Sequence, residues 1–315
     1  MNASNGIITI FAGSASRPFA QKMCDYLGVE LGKSTTHVFS EGGIYVRADE
    51  SIRNKDVYIV QSIGKDPNNA FTELIFWIDA FKRASANSIT AIIPYFGYAK
   101  ADKKDEPRVS IRARVCADCI EMCGADRVIT MDLHADQIQG FFNVPVDHLY
   151  ASSVFIPYIQ SLNLEDLVIA TPDVGGAKRA NSYAKYLGVP LVICHKQRAK
   201  ANVVATMTII GNVVDKDVII IDDMVDTAGT ITKAAELMKE NGARSVRALA
   251  SHAIMSDPAT QRVNDSPLTE MIFTNSIPYT KDSNKCTIIS VARLFADTIR
   301  RVQTNESISS QYVFK

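Results

Sequence analysis

The sequence lacks the features that would send it to a membrane, a secretory route or a nucleic acid. No run of about eighteen apolar residues occurs, so no segment is long enough to cross a bilayer as a helix. Acids and bases balance at 34 each, which leaves no global field to gather a polyanion or an anionic membrane. Basic residues are dispersed, and no nucleic-acid-binding module is visible. The N-terminus has no basic leader, and Ile7–Ala12 reads as a first strand rather than a secretory signal. Cysteine is scarce and irregular: Cys24, Cys116, Cys119, Cys123, Cys194 and Cys286 favour reduced thiols in a cytoplasmic protein over a disulfide framework.

The C-x-x-C-x-x-x-C of Cys116, Cys119 and Cys123 has no fourth ligand at zinc spacing. RARVCADCIEMCGA reads as a helix ended by Gly124, with the three thiols on one apolar face as core packing.

What is present is alternation. Strand-like segments at Ile7–Phe11, Val57–Gln61, Ile89–Pro94, Arg127–Met131, Leu167–Thr171, Leu191–Cys194, Val218–Ile221 and Ser245–Ala250 are separated in many places by helical patterns. That order predicts α/β architecture with mainly parallel sheets covered on both faces. There is also an internal echo. Val57–Ser62, a helix over Asn69–Ala86 and the strand Ile89–Tyr95 repeat the plan of Val218–Asp223, helix, Ser245–Ala250, with Gln61 and Ser62 in place of the acid pair. The chain of 315 residues is long enough for two domains. Two homologous doubly wound halves are expected, residues 1–148 and 149–315, with residues 301–315 packing back on the first. In the first-half helix, Phe71, Leu74, Ile75, Ile78 and Phe81 form one stripe while Phe76 and Trp77 are apolar on another side. Such a helix belongs in a deep core or at a subunit interface.

The most informative stretch is Val218–Ala243. Val218–Ile221 is a β-branched run ending in Asp222 and Asp223, followed by a loop, Met224–Gly229, carrying Asp226, Thr227 and Ala228. Thr230 or Thr232 is expected to cap the next helix, and Gly242 to end it. A strand, a small-residue loop and a helix N-terminus converge free N–H groups on one point, an anion site whose usual occupant is phosphate. The paired acids suit neighbouring sugar hydroxyls or a divalent metal. A lone acid pair would more simply be a solvated turn. Three acids, two threonines and a glycine at the carboxyl end of a parallel strand favour function.

Val218–Thr230 resembles the phosphoribosyl pyrophosphate loop of the phosphoribosyltransferases and of ribose-phosphate pyrophosphokinases. TMDLHADQIQGFFNVPVD resembles a signature of the pyrophosphokinases alone, and with TPDVGGAKR and CHKQRAKANV it gives four motifs in order along nearly the whole chain. The chain is therefore similar to the class I-like ribose-phosphate pyrophosphokinase (phosphoribosyl pyrophosphate synthetase) family. That resemblance implies two phosphoribosyltransferase-like domains and transfer of the β,γ-pyrophosphoryl group of Mg-ATP to the C1 hydroxyl of ribose 5-phosphate. It also implies a homo-oligomer, a hexamer built from dimers.

By the same resemblance Asp222 and Asp223 grip ribose hydroxyls, and Asp226, Thr227, Ala228, Gly229 and Thr230 wrap the 5-phosphate. Asp132 and His134, two apart at a strand end and so expected to point the same way, stand at the ATP-phosphate and Mg²⁺ site, with Asp147 a weaker candidate. Asn143 replaces a family Asp. Asp173 is carried over as a Mg²⁺ ligand, and Lys196 and Arg198, in a basic loop after a strand, as the catalytic pair. Such a pair would set positive charge around the transferring phosphorus. On the nucleotide side Phe39 can stack on a base, but Glu41 and Gly43 replace an Asp and a Glu, and Lys100 and Ala101 replace Arg-Gln. Lys keeps charge without bidentate geometry, and Ala offers no hydrogen bond. Lys103–Arg108 and the Ser-rich C-terminus fall where the family carries its phosphate and ADP regulation, and the extra residues before Phe314 put that regulation in question. The rival readings are a phosphoribosyltransferase, which leaves MDLHADQIQGFF unexplained, and a non-catalytic regulatory paralogue, which Lys196 and Arg198 oppose.

Overall fold

The computed structural model describes residues 8–197 and 206–313. The chain forms two compact units, one of residues up to 150 with 276–278 and 291–311, the other of 151–275 with 279–290 and 312–315. The sequence suggested one seam at 148/149. The return to the first unit, expected for residues 301–315, begins at residue 291 and brings in a whole helix, for a reason visible in that unit's packing.

The first unit runs β1 (Ile8–Ala12), α1 (Arg17–Leu27), β2 (Ser34–Val38), β3 (Ile44–Ala48), β4 (Asp56–Val60), α2 (Pro67–Arg83), β5 (Ser88–Ile93), α3 (Arg112–Cys123), β6 (Arg127–Met131) and β7 (Val146–Leu149). Five strands form a parallel sheet in the order β1-β4-β5-β6-β7, while β2 and β3 make a separate antiparallel hairpin. Central strands such as β4 bury consecutive residues rather than alternate ones, as a sheet covered on both faces requires. The amphipathic face of the chain's last helix, Ala292–Gln303, completes this unit. It buries Leu294, Phe295 and Ile299, and Phe295 meets Phe19 of α1 edge-on at 5.5 Å.

Asp66 caps α2, and Pro67 starts it, two residues ahead of the expected Asn69. Its buried face is Ala70, Leu74, Trp77, Ile78 and Phe81, an i, i+4, i+7 series in which Trp77 belongs to the core and lies 5.2 Å from Phe81. Phe76 alone stays 43% exposed, so the helix is less apolar around its circumference than the sequence suggested. In α3, Cys116 is buried and Cys119 and Cys123 are half-buried. Gly124 ends the helix at φ 116°, where an L-residue is disfavoured.

The second unit runs α4 (Ser152–Ser161), β8 (Leu167–Thr171), α5 (Ala177–Leu187), β9 (Leu191–Gln197), β10 (Thr206–Ile210), β11 (Asp217–Val225), α6 (Gly229–Glu240), β12 (Ser245–Ala253), α7 (Ala259–Asp265), β13 (Glu270–Thr274) and β14 (Cys286–Ile289); the first unit's returning helix is α8. Its seven strands lie in the order β10-β9-β8-β11-β12-β13-β14, parallel except for β10 against β9. The chain moves from β8 out to β9 and then back across to β11, so strand order reverses between β8 and β11. Ligands of open α/β sheets bind beyond the strand ends at such a reversal. Val218, Ile219, Ile220 and Ile221 are all buried here, at about 1.5–3 kcal/mol of hydrophobic stabilisation each.

The two units share one plan. β1, α1, β4, α2 and β5 correspond to β8, α5, β11, α6 and β12, and a single parallel bridge, Ile10 to Leu31, stands where the second unit has β9. The crevice is treated differently. Gln61 and Ser62, at the place of the acids, are buried and bonded inward. Gln61 Nε2 donates to Glu73 Oε2 at 2.8 Å, and the Ser62 amide donates to Ser16 Oγ at 2.7 Å. Glu73, 2% exposed on α2, also accepts from the Ser14 amide at 2.9 Å, the Ser14 hydroxyl, Thr36 Oγ1 and Trp77 Nε1.

Candidate active site

β11 sets the geometry of the second unit's crevice. It pairs with β8 only as far as Ile220 opposite Ala170, but with β12 as far as Val225 opposite Ala253. The strand therefore runs on through Asp222 and Asp223 instead of ending before them, and the loop shrinks to residues 226–228. Hydrogen bonding to β12, which local propensity does not register, carries the acids on a rigid ladder past the end of the β8 pairing.

Asp223 is 7% exposed, and its amide donates to Asp222 Oδ1 at 2.9 Å. Burial, then the charges of Asp223 and of Asp173, push the Asp222 carboxyl well above the ordinary carboxylate range. Asp222 thus feels the charges of a buried neighbour on its own strand and of an exposed acid in the turn after β8. That is an environment for hydroxyl donors or a hard cation.

The helix start also differs from expectation. Ala228, at φ 61°, precedes Gly229, and no side chain caps α6. Thr232 Oγ1 donates back to the Ala228 carbonyl at 2.9 Å, and Thr230 is exposed, so neither threonine acts as the cap. First-turn N–H groups are left without a side-chain acceptor at the positive end of the helix, the arrangement that receives anions. Gly242, at φ 90°, follows the last turn as expected.

The turn after β8 is tightly built. Thr171 Oγ1 donates to the Asp173 carbonyl at 2.8 Å, and the Gly176 amide donates to Asp173 Oδ1 at 3.0 Å. A Cβ at Gly176 would lie 2.5 Å from Thr171 Oγ1, so a side chain there would have to displace that hydroxyl. Asp173 itself is exposed. Nearby Cys194 is pushed up to about 11 by burial and the Asp173 charge, which keeps it a neutral thiol.

In the first unit β6 ends at Met131, and Asp132 turns to φ 41°, 6% exposed, its amide donating to the Leu149 carbonyl at 2.9 Å. His134 is exposed. The strand ends before both residues, so they stand on the turn that follows β6 rather than on the strand itself. Holding this turn is His148, a residue the motif reading missed. Its Nε2 accepts from the Leu133 amide at 2.9 Å, so that nitrogen carries no proton. Only the register of β7 against β6, Thr130 opposite His148, brings it there. Asp147 is held by Arg127 at 2.7 Å, at the start of β6 and the far end from Asp132. Asn143 braces α3, donating from Nδ2 to Glu121 Oε2 at 2.8 Å.

The β2–β3 hairpin presents Phe39, 46% exposed, with His37 and Tyr45 edge-on at 5.0 and 6.2 Å. The Glu41 carboxylate lies 3.0 Å from where a Cβ of Gly43 would stand, so it occupies the room that a side chain at 43 would need. Lys100 is exposed, whereas Ala101 is buried. Lys196 sits on β9, opposite Met207 of β10, rather than in a loop. Arg198 lies outside the described residues, as does Phe314. Among the described residues no group of three or more His, Cys, Asp or Glu is arranged as a metal cage, and no helix is long and apolar enough to cross a membrane.

Residues 8–124 match the N-terminal domain of ribose phosphate pyrophosphokinase, and residues 198–315 match the phosphoribosyl synthetase-associated domain. The chain is 60% identical to a ribose-phosphate pyrophosphokinase of Porphyromonas gingivalis over 100% of both chains. It is 50% identical to one of Helicobacter pylori over 96% of this chain and 95% of the relative. The crystal structure of phosphoribosylpyrophosphate synthetase from Mycobacterium smegmatis superposes with a TM-score of 0.90 at 40% identity, covering 95% of this chain and 99% of that one. A chain that keeps this much identity over such relatives' full length, on the same fold, belongs to the ribose-phosphate pyrophosphokinase family.

Proposed function

We propose that this chain, in the cytoplasm and as a homo-oligomer (a hexamer built from dimers), makes 5-phosphoribosyl 1-pyrophosphate and AMP from ribose 5-phosphate and Mg-ATP. The C1 hydroxyl of the sugar attacks the β-phosphorus of ATP and loses its proton. A new C1–O–P bond forms, the bond from the β-phosphorus to the α,β-bridging oxygen breaks, and AMP departs. The observation that carries this reading is the uncapped start of α6 beside acids held on β11 at the strand-order reversal. In it the loop Asp226, Thr227, Ala228, Gly229 and Thr230 takes the 5-phosphate, and Asp222 and Asp223 take the ribose hydroxyls.

Lys196 and Arg198 supply positive charge to the transferring group. The chemistry asks little else of the protein than position and charge. Phe39 stacks on the base, with Glu41, Gly43, Lys100 and Ala101 around the nucleotide, and Asp132 and His134 serve its phosphates. Asp132 and His134 in the first unit, and Asp173 in the second, are the residues that would serve Mg²⁺, an ion that binds through one or two carboxylates plus substrate phosphates rather than in a closed protein cage. When bound, the ion would neutralise charge on the triphosphate.

The test is AMP release from ATP with Mg²⁺, with and without ribose 5-phosphate, for the wild-type chain and Lys196→Ala. Sugar-dependent AMP that falls roughly 100-fold or more in the variant is expected, the scale of a lost charge-stabilising donor. A folded wild-type chain that releases no AMP would overturn the assignment.

A further inference from the structure

α7 carries a side chain that reaches the sugar-phosphate loop from a distant part of the sequence. Arg262 Nη1 donates to the Thr227 carbonyl at 2.9 Å, and the same nitrogen would lie 3.5 Å from a Cβ at Gly229. Arg262 is exposed, so its guanidinium lies over the outside of the loop rather than in the core. Both partners belong to the second unit.

The consequence for the loop follows from peptide geometry. In a planar trans peptide the C=O and N–H point in opposite directions. With the Thr227 oxygen drawn towards Arg262, the Ala228 N–H faces away from it. Ala228 also holds φ 61°, a region an L-residue enters only against steric resistance, and no side chain caps the helix that follows. Thr232 fixes the carbonyl side of Ala228 from within the helix, and Arg262 fixes the peptide before it from outside the loop. A guanidinium suits that task, because it stays charged and offers several donors in a fixed plane.

We propose that Arg262 is a positioning residue for the terminal phosphate of the sugar substrate. It clamps the Thr227–Ala228 peptide so that the Ala228 N–H and the first N–H groups of α6 converge on the anion, and its charge favours a dianion there. This rests on the loop being the seat of ribose 5-phosphate.

The test measures ribose 5-phosphate binding by calorimetry, and KM for both substrates, in the full chain as wild type, Arg262→Gln and Arg262→Lys. Arg262→Gln should raise the Kd and the KM for ribose 5-phosphate roughly tenfold or more, as expected for a lost charge-assisted hydrogen bond, with KM for ATP and the melting temperature nearly unchanged. Arg262→Lys should recover part of that loss by keeping the charge. A merely structural residue would shift both KM values together or lower the melting temperature, and that result overturns the clamp. Wild-type protein that does not bind ribose 5-phosphate defeats the seat itself. Wild-type protein that binds it no better than Arg262→Gln defeats only the clamp.

Discussion

Asp222 Oδ1 accepts the amide proton of Asp223 at 2.9 Å, so the Asp222 carboxylate is tied to the backbone of its own strand. Burial, with Asp223 and Asp173 as neighbours, raises the Asp222 carboxyl well above its ordinary range. In the unfolded chain an Asp titrates near about 3.9. Between that value and the folded one, the folded state holds a proton that the unfolded state has released. Stability from this group therefore falls as pH rises through the window, and the cost of charging is fully present above it. Asp222→Asn should melt higher than wild type at pH 8 in metal-free buffer, by roughly 2–4 °C for each kcal/mol relieved. The gain should vanish below about pH 4. A variant that melts lower at pH 8 would mean that the carboxylate is compensated in the folded chain.

The glycine of the β8 turn offers a second test. A Cβ at Gly176 would displace Thr171 Oγ1 and break its bond to the Asp173 carbonyl. Overpacking of this kind costs roughly 1–3 kcal/mol. Gly176→Ala should lower the melting temperature and raise the Mg²⁺ concentration needed for half-maximal activity. Adding Thr171→Ala removes the clashing hydroxyl, so the double variant should melt higher than the sum of the single effects predicts. Strict additivity would refute the contact as the cause.

Phe39 stands out from the hairpin with its flanking rings set edge-on, which leaves its face for a flat partner. Stacking of a base on an aromatic ring contributes roughly 1–3 kcal/mol and tolerates every base. Phe39→Ala should therefore raise KM for ATP by roughly 5–150-fold, raise KM for GTP by a similar factor and leave KM for ribose 5-phosphate alone. A rise confined to ATP would assign base recognition to a polar contact instead.

Much of the architecture is written in local pattern. Arg127–Met131 and Leu167–Thr171 begin and end where their apolar runs do, because a buried parallel strand needs little beyond β-branched residues and a turn on each side. The departures occur where a distant partner decides. β12 extends β11 through the acids, β10 holds Lys196 in a strand, and packing on α1 draws α8 into the first unit. The anion loop was legible from its residue types. Its geometry was not, since the threonines that look like caps bond elsewhere or stay exposed, and a left-handed alanine precedes the helix. His148 and Arg262 had no signal at all, since each reaches its partner through register or through a contact across 35 residues of chain.

Glu73 gives the duplicated plan its asymmetry. In the second unit the corresponding positions carry the acids Asp222 and Asp223 on β11. In the first, a carboxylate from the unit's own α2 already takes the amide and hydroxyl of Ser14 and the amide of Gln61. That copy has become its own ligand. The repeated plan thus serves two ends: under the proposed function one copy seats a sugar phosphate, while the other uses the same position for an internal tie between helix, hairpin and sheet.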